Sequence, residues 1–245
     1  MKKCTKIMLL LAGTMTAIGV FCMVMALPLG FTGQKFVEML NDDTFTFAFL
    51  KFEDQDDGVI HMDEECRNLD IEFGAGRLEI CYDDVEQIQI EKQDMSSCKI
   101  YVENDTLYID GNTKVRGHTD ATLKLIFPQK TEFQKIEMDL GASEASIDRL
   151  TADTLEIEVG AGEGNIYELD VKNLDAEVGV GILNLEMRGK KTDYDYHIEC
   201  GIGEIQIGES SYGGFGAEKK ITNKGAVRQM DVTCGIGEID IEFLE

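Results

Sequence analysis

Residues 198–207 read IECGIGEIQI and residues 232–241 read VTCGIGEIDI, nearly the same ten residues twice in one chain of 245. Aligned on the first glycine, four further segments share the outline: IEFGAGRLEI (71–80), MDLGASEASI (138–147), IEVGAGEGNI (157–166) and AEVGVGILNL (176–185). Gly141, Gly160 and Gly179 follow at intervals of 19 residues, Gly201 after 22 and Gly235 after 34. Apolar residues stand one and three places before the first glycine and one place after it, as in Ile157, Val159 and Ala161 or Ile198, Cys200 and Ile202. This is the period-two pattern of a half-buried strand. After the second glycine the parity changes, to Ile205 and Ile207 or Ile239 and Ile241, so the chain turns a corner and begins a second strand.

A unit of about 19 residues cannot bury its apolar side alone, but a stack of such units can, each strand pairing with the next at about 4.8 Å. The expected fold is therefore all-β, a single-stranded β-helix or β-solenoid with the repeats stacked in chain order. A β-sandwich with convergent hairpins is the alternative. The corner glycines are Gly74, Gly141, Gly160, Gly162, Gly179, Gly181, Gly201, Gly203, Gly235 and Gly237, with Ser143 in place of one second glycine. Glycine suits a corner because it accepts positive φ and lets backbones approach closely. Further strands are predicted at 86–91, 98–103, 106–110 and 121–127, with Asn104-Asp105 as a hairpin turn. Residues 208–229, rich in glycine and holding Lys219, Lys220, Lys224 and Arg228, read as an insertion before the last repeat.

The first 31 residues are of another kind. Ile7 to Leu27 is an uncharged apolar run preceded by Lys2, Lys3 and Lys6. Its length matches a hydrocarbon core of about 30 Å, and the lysines place the N-terminus in the cytoplasm. A cleavable signal peptide is the rival, although its apolar region is normally shorter and no A-x-A site follows. The chain thus divides into a short tail with a transmembrane helix (1–31), a juxtamembrane linker (32–58) and an extracytoplasmic β domain (59–245), at the plasma membrane.

Setting those three lysines aside, 20 basic residues face 47 acidic ones, a net charge of about −27. Such a surface repels nucleic acid, whose phosphates require basic neutralisation. Cys66, Cys81, Cys98, Cys200 and Cys234 lie in the β domain without C-x-x-C spacing, so neither a zinc site nor a disulfide pairing is indicated. Cys200 and Cys234 share one inward parity and are expected as packed free thiols. GAGEGN (160–165) has asparagine where a dinucleotide loop needs glycine, and a strand follows it instead of a helix. Lys114, Arg116 and His118 alternate in the manner of a basic site, or of a solvated edge strand. No catalytic constellation, cofactor or dedicated metal motif is recognised.

The acids themselves are periodic. Two places before the first glycine stand Glu72, Asp139, Glu158, Glu177 and Glu199; four before stand Asp70, Glu137, Glu156, Asp175 and Asp231, with His197 interrupting; three after stand Glu144, Glu163, Glu204 and Glu238. If the repeats stack in register, these become columns on the outer face. Glu156, Glu158, Asp175, Glu177 and Glu199 are the candidate binding residues, for a cationic peptide, a divalent cation or an envelope component. A merely solvated face is the alternative.

The lysine-led apolar helix, the Ile126-Phe127-Pro128 step and the repeated Gly201-Ile202-Gly203-Glu204-Ile205 and Gly235-Ile236-Gly237-Glu238-Ile239 segments together resemble the bacterial "putative adhesin" family, a domain of unknown function. The resemblance covers residues 60–245 and implies a right-handed β-helix at the cell surface. Its function would be that of a non-catalytic binding or structural module. The other reading is an accessory of an envelope-stress or cationic-peptide sensing system, signalling through a membrane protein partner. External protease on intact cells is expected to remove the β domain and leave an anchored N-terminal stub; protection of residues 60–245 would contradict this topology.

Overall fold

The computed structural model describes residues 58–62, 66–95, 98–111 and 121–244. The apolar run, residues 32–57 of the linker and the Lys114–Arg116–His118 stretch lie outside the described residues, and the last linker residue, Gly58, opens the first strand. Among the described residues no helix is long and apolar enough to cross a membrane.

The described chain is almost wholly β. Eleven strands run β1 (Gly58–Met62), β2 (Asn68–Asp83), β3 (Ile88–Gln93), β4 (Lys99–Glu103), β5 (Thr106–Gly111), β6 (Thr122–Pro128), β7 (Phe133–Ile147), β8 (Leu150–Arg188), β9 (Tyr194–Ile207), β10 (Ser210–Ile221) and β11 (Arg228–Leu244), with one 3-10 turn at Lys191–Asp193. They form one sheet whose main path is β1-β3-β6-β2-β7-β8-β11-β9-β10. The β4–β5 hairpin pairs with β2 beside this path and turns at Asn104 and Asp105, both with positive φ (51° and 62°), the conformation that a two-residue hairpin loop demands.

Strands β2, β7, β8, β11 and β9 carry the repeats and pair in parallel with no register slip between glycines: Glu72 opposes Asp139, Asp139 opposes Glu158, and Gly237 opposes both Gly181 and Gly203. The 39-residue β8 holds two repeats. Their 19-residue offset shows in Asn184 Nδ2 donating to Asn165 Oδ1 (2.7 Å) and in Lys172 Nζ meeting Asp153 Oδ1 (2.5 Å). The core follows the two parities: Ile71, Phe73, Leu78 and Ile80 of β2, like Val232, Cys234, Ile239 and Ile241 of β11, are all buried. The predicted change of parity at the corner is therefore present. The residue between the two glycines was expected inside, and it is not. Val180, Ile202 and Ile236 are 54%, 55% and 51% exposed, because the chain bends there and its middle side chain falls on the convex side.

The corner itself explains the glycines. A Cβ on Gly235 would sit 2.6 Å from the Gly179 carbonyl oxygen, and one on Gly201 2.5 Å from that of Gly235. At the second glycine of the pair, a Cβ on Gly162, Gly181, Gly203 or Gly237 would meet the neighbouring carbonyl more closely still. Close backbone approach is the common requirement, joined at Gly237 by positive φ (145°).

Stacking in chain order fails at the end of the sheet. β11 pairs with the second repeat of β8 on one side and with β9 on the other, so the last repeat lies between two that precede it. Residues 208–229 are accordingly not a loose insertion. Gly208-Glu209 make a two-residue turn, and β10 runs back antiparallel along β9 from Ser210 opposite Ile207 to Ile221 opposite Tyr196. β10 buries little of its surface, which suits an edge, whereas β11 buries both of its apolar pairs and needs neighbours on two sides. The entry of β11 is pinned by Arg228, whose Nη1 reaches Asp170 Oδ1 (2.8 Å) and donates to the hydroxyl of buried Tyr194 (2.9 Å). Cys200 and Cys234 stand opposite each other as buried free thiols, and burial, then the neighbouring thiol, pushes Cys234 up to about 11.

Gly235→Val should destabilise the domain by about 1–3 kcal/mol, since the added carbons meet backbone that cannot step aside. Gln206→Val, on a half-exposed strand position, should cost far less. Thermal melts of the two variants test this, and equal midpoints would deny the corner its role.

Candidate functional site

In-register stacking converts the periodic acids into ladders. The first runs Asp70, Glu137, Glu156, Asp175, Asp231 and His197, and ends on β10 at Lys220. The second runs Glu72, Asp139, Glu158, Glu177, Thr233, Glu199 and Glu218. All five candidate binding residues, Glu156, Glu158, Asp175, Glu177 and Glu199, therefore lie on one outer face. The third set of acids does not form a continuous ladder: Glu144 opposes Glu163 and Glu238 opposes Glu204, but Ile182 stands between the pairs. Glu144 is answered by Arg77 at 3.4 Å.

Neighbouring carboxylates about 5 Å apart repel by about 0.8 kcal/mol in the dielectric of water, a cost that a solvated face tolerates. The protein neutralises one end of the first ladder with Lys135, which pairs with Glu137 and lies 3.0 Å from Glu156. That contact holds the Glu137 carboxyl below its ordinary value. Compensation is incomplete elsewhere on the ladder. Asp175 is raised above its ordinary 3.8, by desolvation first and then by Asp231, Glu156 and Glu177; Asp70 is raised by desolvation and by Glu137.

A cleft of about 540 Å³ opens along the first ladder, with Glu156, Asp175, Asp231 and His197 on its wall and Lys220 at its rim. The sequence reading missed Lys220 and Glu218 as members of the ladders because it treated their segment as an insertion. The available signal was the glycine at the first position of a two-residue turn between Ile207 and Ser210. Of the basic cluster read there, Arg228 is committed to Asp170 and Tyr194.

Residues 50–208 match the family described as the N-terminal domain of toast_rack, DUF2154. The chain belongs to this family. The matched stretch takes in β2, β7, β8 and β9 and stops before β10 and β11. Similar solved structures include a putative cell adhesion protein from Clostridium sporogenes, 15% identical, covering 77% of this chain and 99% of that one with a TM-score of 0.49. A putative adhesin from Bacteroides fragilis is 13% identical over 75% of this chain and 97% of its own, with a TM-score of 0.34. One from Parabacteroides distasonis is 14% identical over 77% and 96%, with a TM-score of 0.27. No curated protein matches the chain. The family is thus that of the toast_rack N-terminal domain, and the words adhesin or cell adhesion stand in the names of these similar structures.

A carboxyl raised by folding favours the protonated native state, so its contribution is fully favourable below the ordinary carboxylate range and is lost as pH rises through the raised value. Asp175→Asn should therefore raise the melting midpoint at neutral pH by about 1–2 °C, a small gain because Asp175 is exposed and solvent screens its neighbours. The gain should shrink as pH falls towards the ordinary carboxylate range; melts across that range check it.

Proposed function

We propose that this chain is a membrane-anchored, non-catalytic surface module, a β-solenoid whose acidic face binds cationic ligands outside the cell. The observation that carries the reading is the pair of carboxylate ladders held in register on one face. A rigid array of like charges concentrates counterions and lets a polycation bind through many weak contacts at once. The apolar run at residues 7–27 with its three preceding lysines supports the anchor and its orientation. Corner packing supports the solenoid, because the glycine columns pass from Gly74 through Gly141, Gly160, Gly179 and Gly235 to Gly201 with the carbonyl of one rung against the next.

The test is titration of a short oligolysine peptide onto the full-length chain in detergent, at low and at physiological salt. Affinity should fall steeply with salt as screening shortens the reach of each charge. The triple variant Glu158→Gln, Asp175→Asn, Glu177→Gln should bind about tenfold more weakly, from three contacts of about 0.5 kcal/mol each. Its fold should persist, since none of the three side chains lies in the core. Binding equal to the parent would show the ladders to be no more than a solvated surface.

A further inference from the structure

The first ladder changes character where it reaches β9. A histidine stands there in place of an acid, between Asp231 of β11 and Lys220 of β10 in register, with Glu199 two residues along its own strand. His197 Nδ1 lies 3.2 Å from Asp231 Oδ2. Its Nε2 lies 3.2 Å from Glu199 Oε1 and 3.6 Å from Glu218 Oε1. That Nε2 atom is shielded from solvent, and no hydrogen bond of acceptable geometry reaches it.

An ionised Asp231 can only accept, so Nδ1 is the atom that donates to it, and Nε2 is the ring atom that faces the two carboxylates. Two carboxylate oxygens and Nε2 converge on one point, a meeting that a cation balances, whether a proton on the ring or a metal ion held among the three atoms. One donor atom from each of His197, Glu199 and Glu218 falls within 4.8 Å of the others. Ligands bound at about 2.0–2.2 Å around a tetrahedral ion stand about 3.3–3.6 Å apart, close to the two nitrogen–oxygen separations seen here. Imidazole with carboxylates suits zinc and its neighbours in the transition series, and calcium and magnesium prefer all-oxygen sets. The Asp231 contact is the carboxylate–histidine partnership that orients metal-binding imidazoles.

We propose that His197, Glu199 and Glu218 bind one divalent transition-metal ion of the zinc class, with Asp231 as a positioning residue and water completing the coordination. The carboxylates of Glu199 and Glu218 are 52% and 65% exposed, so the ion enters from solvent. Because two ligands stand on β9 and one on β10, the ion fastens the edge strand to the sheet. The site shares Glu199 and Glu218 with the second ladder, and it differs from diffuse counterion binding in requiring His197.

The experiment uses the full-length chain in detergent, stripped of metal by a chelator, and titrated with Co²⁺ as a spectroscopic probe and with Zn²⁺ in competition. One equivalent of Co²⁺ should give visible ligand-field absorption without a thiolate charge-transfer band, and Zn²⁺ should displace it. His197→Gln and Glu218→Gln should each weaken binding at least tenfold. Glu218→Gln, on an exposed edge, tests the site even if the histidine variant folds poorly. Asp231→Asn should weaken binding by about 10–100-fold. The pair Glu158→Gln, Glu177→Gln should leave it unchanged. Hydrogen exchange of residues 210–221 should slow when Zn²⁺ is added. The proposal is overturned if no oxygen–nitrogen Co²⁺ spectrum appears, if one persists in His197→Gln, or if the ladder variants lose as much affinity as Glu218→Gln.

Discussion

Carbonyl oxygens at the corners of this sheet press against the α-carbons of the next rung, and the rest of the molecule depends on that approach. Wherever Gly160, Gly179, Gly235 and Gly201 stack, a side chain on one would intrude upon the backbone of another. The constraint is severe because both partners are main chain; neither can rotate away as a side chain could. It also acts as a ruler. Once the glycines are aligned, every residue before and after them is aligned too, since a slip of one residue would turn the apolar set out to solvent.

Electrostatics follows from that ruler. A carboxylate placed two or four residues before a corner is delivered beside its counterpart on the neighbouring rung, whatever the mutual repulsion. The raised Asp175 and Asp70 and the lowered Glu137 are three outcomes of one geometry, separated by desolvation and by whether a lysine bonds the carboxylate directly, as Lys135 does Glu137. Apolar packing of Ile157, Val159, Ala176 and Val178 inside the same strands supplies the free energy that holds the acids in line.

Much of this was legible because the repeat has two independent marks, the glycine pair and the switch of parity around it. They gave the strands, the inward residues of β2, β7, β8, β9 and β11, and the membership of both ladders up to Glu199. Two features escaped. The outward turn of Val180, Ile202 and Ile236 is hidden because an apolar residue between glycines reads as core by pattern alone, and only the bend decides which way it faces. The placing of β11 is hidden because its register is identical against either neighbour: Ile239 meets Leu183 on one side and Ile205 on the other. Periodicity measures offset along a strand and is silent about the order of strands across a sheet. The histidine at position 197 was visible as an interruption, but its significance rests on Glu218, which arrives from a strand running the other way.

The interior position of β11 bears on how the protein is made. On a ribosome both walls of the slot, the second half of β8 and the whole of β9, emerge before the strand that fills it. Until residues 228–244 are available, the second repeat of β8 and one edge of β9 each lack the strand they pair with in the folded sheet. They must be kept from closing on each other or on a neighbouring chain, because open edges of this kind recruit whatever extended polypeptide is at hand. The β9–β10 hairpin answers part of the hazard by giving β9 a partner on its far side early. Insertion of β11 then becomes the late, long-range step of folding, slow by the logic of loop closure, and nascent chains halted before it present the cell with a ready-made acceptor for a foreign strand.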